Sequence, residues 1–218
     1  MEFEFKFLHM LQEIHNPVLD KFMLFITKLG DIGFIWLFIS VVLIAISLCL
    51  EYKCKNGETN YKKYDGLKLK YMGLMIIIAI AIEVFTVNVC LKNLIDRQRP
   101  FMVDESIKLL ITASGSSFPS GHTGASFAAA VSIFICNKKA GVAALVLASL
   151  IGFSRMYLFV HFPTDILGGI VVGSICAVVA KFIMDKFIYD KFLVKDKRKD
   201  HIDVWLNIYR SNKTKLYS

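Results

Sequence analysis

Ile32-Gly-Phe-Ile-Trp-Leu-Phe-Ile-Ser-Val-Val-Leu-Ile-Ala-Ile-Ser-Leu-Cys-Leu50 contains no charged residue. A helix needs roughly 20 apolar residues to cross a hydrocarbon core, and this run has that length. Soluble cores place apolar residues at helical or strand periods instead. The stretch therefore reads as a membrane span, and the rest of the chain is read outward from it.

C-terminal to it, residues 71–91 carry one charge, Glu83, and further apolar runs cover about 121–136, 140–159 and 165–184. The expected fold is all-α: a polytopic membrane helix bundle of about five transmembrane helices plus an N-terminal amphipathic helix. Of 218 residues, 56% are hydrophobic and 20% charged, a balance that excludes intrinsic disorder. The net charge of +8 collects in particular segments. Lys53, Lys55, Lys62, Lys63, Lys68 and Lys70 follow the first span, Lys138 and Lys139 separate the third and fourth, and Lys186, Lys191, Lys195, Lys197, Arg198 and Lys199 lie in the tail. Basic residues flanking spans are retained in the cytoplasm, so these segments are expected inside and residues 92–120 and 156–164 outside. Attraction to anionic membrane lipids accounts for the charge, and no nucleic-acid partner is needed.

Three regions are expected: an N-terminal interfacial segment over 1–31, a membrane domain over 32–184 and a basic cytoplasmic tail over 185–218. Glu2 and Glu4 stand where a secretory leader would be basic, so the N-terminus is expected to stay on the protein. Val18, Phe22, Phe25 and Leu29 recur at helical spacing among Asp20, Lys21 and Lys28, with Asn16-Pro17 as the start. That helix lies along the interface or packs back on the first span. Cys49, Cys54, Cys90, Cys136 and Cys176 form no close pair, so neither a zinc site nor a disulfide framework is indicated. His9 and His15 lack partners at ligand spacing, and His201 reads as a surface residue.

Chemistry gathers in three segments, all assigned to the outer face. Lys92 and Arg99 are seven residues apart, two helical turns if the helix continues, which makes a column of positive charge suited to an anion. In Ser116-Ser-Phe-Pro-Ser-Gly-His-Thr123, Ser120 suits an N-cap, so that free backbone N–H groups at Gly121 and His122 can meet an oxyanion and His122 can protonate a leaving oxygen. In the third, His161 and Asp165 are four apart, close enough for a carboxylate to orient an imidazole, and Arg155 offers a planar fork for phosphate. This is an inventory for phosphoryl transfer through a phosphohistidine with no metal and no cofactor. The segment 101–117 and the span surfaces are left to select the lipid.

The same residues spell K-x6-R-P at Lys92 to Pro100, P-S-G-H at Pro119 to His122 and S-R-x5-H-x3-D at Ser154 to Asp165. In these the chain resembles the type 2 phosphatidic acid phosphatases, the PAP2 family, whose superfamily includes vanadium haloperoxidases and glucose-6-phosphatase. The resemblance implies a lipid phosphatase of the bacterial plasma membrane acting on a phosphorylated lipid. Undecaprenyl diphosphate is its first candidate, with phosphatidylglycerophosphate and phosphatidic acid as alternatives. It implies His161 as nucleophile, Asp165 as its orienting partner, His122 as general acid, and Lys92, Arg99, Ser120, Gly121 and Arg155 as the phosphate cradle. A haloperoxidase or a lipid carrier without enzyme activity fits less well, because lipid access argues against the first and polar groups at one surface against the second. Glu83, nine residues before Lys92, is expected half a turn out of phase and so facing away from the site, with a partner inside the bundle or at a homodimer contact.

Overall fold

The computed structural model describes residues 2–56 and 63–189, and all of its regular structure is helical. Two N-terminal helices, α1 (Glu2–Glu13) and α2 (Pro17–Leu29), precede the bundle. Then come α3 (Phe34–Lys55), α4 (Lys63–Val84), α7 (Gly121–Cys136), α8 (Lys138–Tyr157) and α9 (Pro163–Ile183), with the one-turn helices α5 (Lys92–Ile95) and α6 (Pro100–Val103) between α4 and α7. Met1–Lys181 form one compact unit, and Phe182–Ser218 are a second, in which Met184–Tyr189 form a π turn. The tail beyond 189, with His201, and residues 57–62, with Lys62, lie outside the described residues.

Among the described residues, four stretches are long and apolar enough to cross a membrane: Phe34–Lys55, Gly66–Val103, Lys138–Tyr157 and Pro163–Lys186. The remaining span, α7, has only 16 residues. It packs against α4 and α8 and buries ten residues from Thr123 to Ile133, so it runs through the middle of the bundle and need not match the lipid thickness. Close packing on α9 follows from small residues. A Cβ on Gly169 would lie 2.7 Å from Ser120 O, and one on Gly173 would overlap Gly124 O and sit 3.0 Å from Ala128 N. Gly169-x-x-x-Gly173 thus faces Gly124-x-x-x-Ala128, a pairing that lets two backbones meet in an apolar solvent. Chain direction puts Lys53, Lys55, Lys138 and Lys139 at one end of the bundle and the three motif segments at the other.

Asn16 caps α2 as expected, accepting from the amides of Val18 and Leu19, and Val18, Phe22 and Phe25 are exposed. The opposite face is not free, because Met23, Ile26 and Thr27 are buried and α2 packs on α8. Helix α1 has no counterpart among the sequence expectations. Its Leu8 and Leu11 are buried against Phe159 and Phe162, so the N-terminal segment covers the site end of the bundle as well as presenting an apolar stripe. The two histidines judged partnerless by spacing have partners from distant segments or a neighbouring turn: His9 with Asp104 at 3.0 Å, and His15 with Asp20 at 3.1 Å.

Candidate active site

The helix carrying Lys92 does not continue to Arg99. After a π turn (Phe85–Leu91) it ends at Ile95, where Asp96 adopts φ 41°, and residues 96–99 are non-helical. The expected column is therefore absent, and the two cations reach the site by separate routes. Lys92 Nζ is held by Asn88 Oδ1 at 2.8 Å and lies 3.7 Å from where a Cβ on Gly121 would stand. Arg99 is buried under the 114–116 loop, donating to the carbonyls of Ser114 (2.8 Å), Gly115 (2.9 Å) and Val160 (3.0 Å).

The same π turn corrects the expectation for Glu83. It turns through a smaller angle per residue than an α-helix, so counting nine residues at the α-helical angle misplaces Lys92 relative to Glu83. A Cβ on Gly124 would overlap the Glu83 carboxylate, so Glu83 and Lys92 both face the first turn of α7. Glu83 is buried inside the bundle, and its Oε1 has no hydrogen-bond partner among the described residues.

The short connection between α8 and α9 holds His161. Phe159 takes φ 59°, rare for a bulky side chain, and this sharp turn folds His161 back into the bundle, where it is 2% exposed. Its Nδ1 is 3.6 Å from Asp165 Oδ2, and Arg99 Nη1 donates to its Nε2 at 3.2 Å. The imidazole therefore carries its proton on Nδ1 and a lone pair on Nε2, aimed among cations. Burial pushes its pKa down to about 3, with the Asp165 carboxylate opposing, so the ring is neutral at ordinary pH. Asp165 is fully buried. Its Oδ2 accepts from Ser117 Oγ and from the Phe162 amide at 2.8 Å, and its Oδ1 accepts from Arg97 Nη1 at 2.6 Å.

Ser120 caps α7, its Oγ accepting from Thr123 Oγ1 (3.0 Å) and the Thr123 amide (3.5 Å), while its own N–H donates to Asp165 O at 3.0 Å. That leaves the amides of Gly121 and His122, for which helix geometry provides no partner, at the positive end of α7. His122 Nε2 meets Asp31 Oδ1 at 2.8 Å. Arg155 is 4% exposed and donates from Nη1 to Thr27 Oγ1 at 2.7 Å, yet its Nε is buried with no partner among the described residues. Lys92, Arg99 and Arg155 stand close enough to repel one another. An oxyanion would satisfy the orphaned donor and relieve that repulsion together.

All eight residues singled out by sequence thus meet at one end of the bundle. Five others went unassigned: Glu4, Thr27, Asp31, Arg97 and Ser117. Ser117 belongs to the segment expected to select the lipid, but its hydroxyl is spent on Asp165. Adjacency to a motif could have flagged Arg97 and Ser117. Nothing in the spacing marks Glu4, Thr27 or Asp31.

A family model described as the PAP2 superfamily matches residues 68–189. The undecaprenyl-diphosphatase BcrC of Bacillus subtilis is 30% identical over 171 residues, 78% of this chain and 77% of that protein. Phosphatidylglycerophosphatase B of the same organism is 31% identical over 180 residues, 77% and 76% of the two chains. The crystal structure of a transmembrane PAP2-type phosphatidylglycerolphosphate phosphatase from Bacillus subtilis superposes with a TM-score of 0.61 at 27% identity, covering 83% of each chain.

Proposed function

Since the chain belongs to the PAP2 superfamily, we propose that it is a membrane lipid phosphatase working through a phosphohistidine at His161, with undecaprenyl diphosphate as its substrate. The observation that carries the reading is the buried Arg155 Nε, without a partner among the described residues, near Lys92 and Arg99, the last of which donates to His161 Nε2: an arrangement whose charge and donors suit a phosphoryl group. In the first step Nε2 of His161 attacks phosphorus while the bond from phosphorus to the lipid-side oxygen breaks. His122 gives that oxygen its proton, and Asp165 stabilises the positive ring that forms. Water then attacks the phosphohistidine and passes a proton to His122, and inorganic phosphate leaves. Lys92, Arg99, Arg155 and the amides of Gly121 and His122 hold the equatorial oxygens, where charge builds in the transition state.

The lipid follows from the BcrC relative and from sidedness. With Lys53, Lys55, Lys138 and Lys139 at the end opposite the site, the positive-inside rule turns the site outward and brings α9 back to the cytoplasm. A carrier lipid diphosphate is left on the outer leaflet once its cargo has been transferred there. The similarity to phosphatidylglycerophosphatase B supports phosphatidylglycerophosphate as the second reading.

Phosphate release by purified protein from undecaprenyl diphosphate, phosphatidylglycerophosphate and phosphatidic acid, with and without EDTA, tests both. Fastest turnover of the diphosphate, unaffected by EDTA, is the expected result; preference for the glycerophosphate lipid selects the second reading. In intact cells, a cysteine introduced at exposed Glu105 should react with an impermeant thiol reagent and one at exposed Lys139 should not. The reverse pattern would overturn the orientation.

A further inference from the structure

Among the described residues, no hydrogen bond joins Arg97 to the phosphate cradle. Its Nη1 donates to Asp165 Oδ1 and to Thr164 Oγ1, both at 2.6 Å, its Nη2 donates to Glu4 Oε2 at 2.8 Å, and its guanidinium lies 4.1 Å over the Phe162 ring. Its backbone is tied as well: the Arg97 amide donates to Ser116 Oγ at 3.0 Å, and Arg97 O accepts from the Ser117 amide at 2.7 Å. One local unit therefore grips both oxygens of Asp165, Arg97 on Oδ1 and Ser117 on Oδ2. The grip is needed because the terminal torsion of an aspartate is soft, and its partners must supply the carboxylate's orientation.

Behind Arg97 stands Glu4, with its side chain 11% exposed. Its other oxygen accepts from the Thr164 hydroxyl and from the Thr164 amide at 3.4 Å, in the first turn of α9 and next to Asp165 in sequence. A carboxylate there answers both the guanidinium and the positive end of the helix. Glu4 is brought in by α1, whose Phe5, Leu8 and Leu11 pack on Phe159 and Phe162, either side of His161.

We propose that Glu4 and Arg97 are positioning residues for the His161–Asp165 pair, so that seating α1 on the bundle completes the nucleophile. Arg97 divides its planar fork between two carboxylates and so transmits the seating of α1 to Asp165. A lysine, with one charged nitrogen, cannot span both. The inference rests on the phosphatase reading with His161 as nucleophile.

The test uses full-length protein in detergent with undecaprenyl diphosphate as substrate. Arg97→Ala should lower kcat by about 10- to 100-fold, the range for residues that orient an active group from behind, with KM nearly unchanged. Added methylguanidine should restore part of the rate, and Arg97→Lys should fall in between. Glu4→Gln should lower kcat less, and Glu4→Gln with Arg97→Ala should be no slower than Arg97→Ala alone, since the two act along one line. A raised KM at wild-type kcat would mean that Arg97 binds the lipid phosphate, and would overturn the proposal. So would losses that multiply in the double variant, or a loss of rate that tracks loss of folded protein and resists methylguanidine. Wild-type protein inert toward every lipid in the panel would remove the phosphatase reading, and this inference with it; an active wild type beside equally active variants would remove only the inference.

Discussion

Replacing Asp165 by asparagine keeps the side chain's shape and removes its charge, and the surrounding donors dictate the cost. Oδ2 accepts from Ser117 and Phe162 and faces His161 Nδ1, while Oδ1 accepts from Arg97. An amide has one acceptor oxygen for these two positions. With the oxygen at the Oδ2 position the His161 tautomer survives, but the amide NH2 confronts Arg97, donor against donor. The charge that would stabilise the phosphorylated ring is also gone. A hydrogen bond to a charged group contributes about 1.5–3 kcal/mol, and about 1.4 kcal/mol is tenfold in rate, so kcat should fall by about 10- to 150-fold. With the amide reversed, its NH2 would face Nδ1 and favour the proton on Nε2, the attacking atom, and the loss should approach the order of 10⁴. KM should hardly move in either case, because the Asp165 side chain bonds to Ser117, Arg97 and the Phe162 amide, none of which belongs to the cradle, and its backbone bond to Ser120 is untouched by the substitution. The assay is steady-state phosphate release from undecaprenyl diphosphate, with folding monitored by thermal melting in detergent. A folded Asp165→Asn protein with wild-type kcat, or one with raised KM alone, would refute the assignment of Asp165 as the partner of the nucleophile.

Three further outcomes are expected. His122→Ala should slow diphosphate cleavage less than monoester cleavage, since a lipid phosphate leaves more readily than an alkoxide; equal losses on the two substrates would count against His122 as general acid. Because burial depresses the His161 pKa to about 3, the ring stays neutral on acidification. Its ring-nitrogen NMR shifts, assigned through His161→Gln, should be flat between about pH 7.5 and about pH 5, whereas an ordinary imidazole titrates near 6.5. Gly173→Leu would force a side chain into the Gly124 carbonyl and push α9 off α7, at a cost of about 1–3 kcal/mol or more. A melting temperature equal to wild type would show that this close approach is not what holds the two helices.

Much of the architecture is local information. A charge-free run such as 32–50 must become a helix in lipid, because no water is there to satisfy its backbone. The three motifs were legible for the same reason: Ser120 as an N-cap and His161 four residues before Asp165 are statements about one turn of chain, and the structure has both. What sequence could not supply depends on how turns bend and which segments meet. A π turn and the left-handed Asp96 broke the helical count that linked Lys92 to Arg99 and set Glu83 facing away. Only tertiary packing decided that Glu4, Thr27 and Asp31, from the N-terminal helices and the turn after them, would stand behind Arg97, Arg155 and His122. Buried cations and imidazoles need counter-charges and acceptors, and the fold draws these from whichever segment lies nearest in space, however far away it lies in the chain.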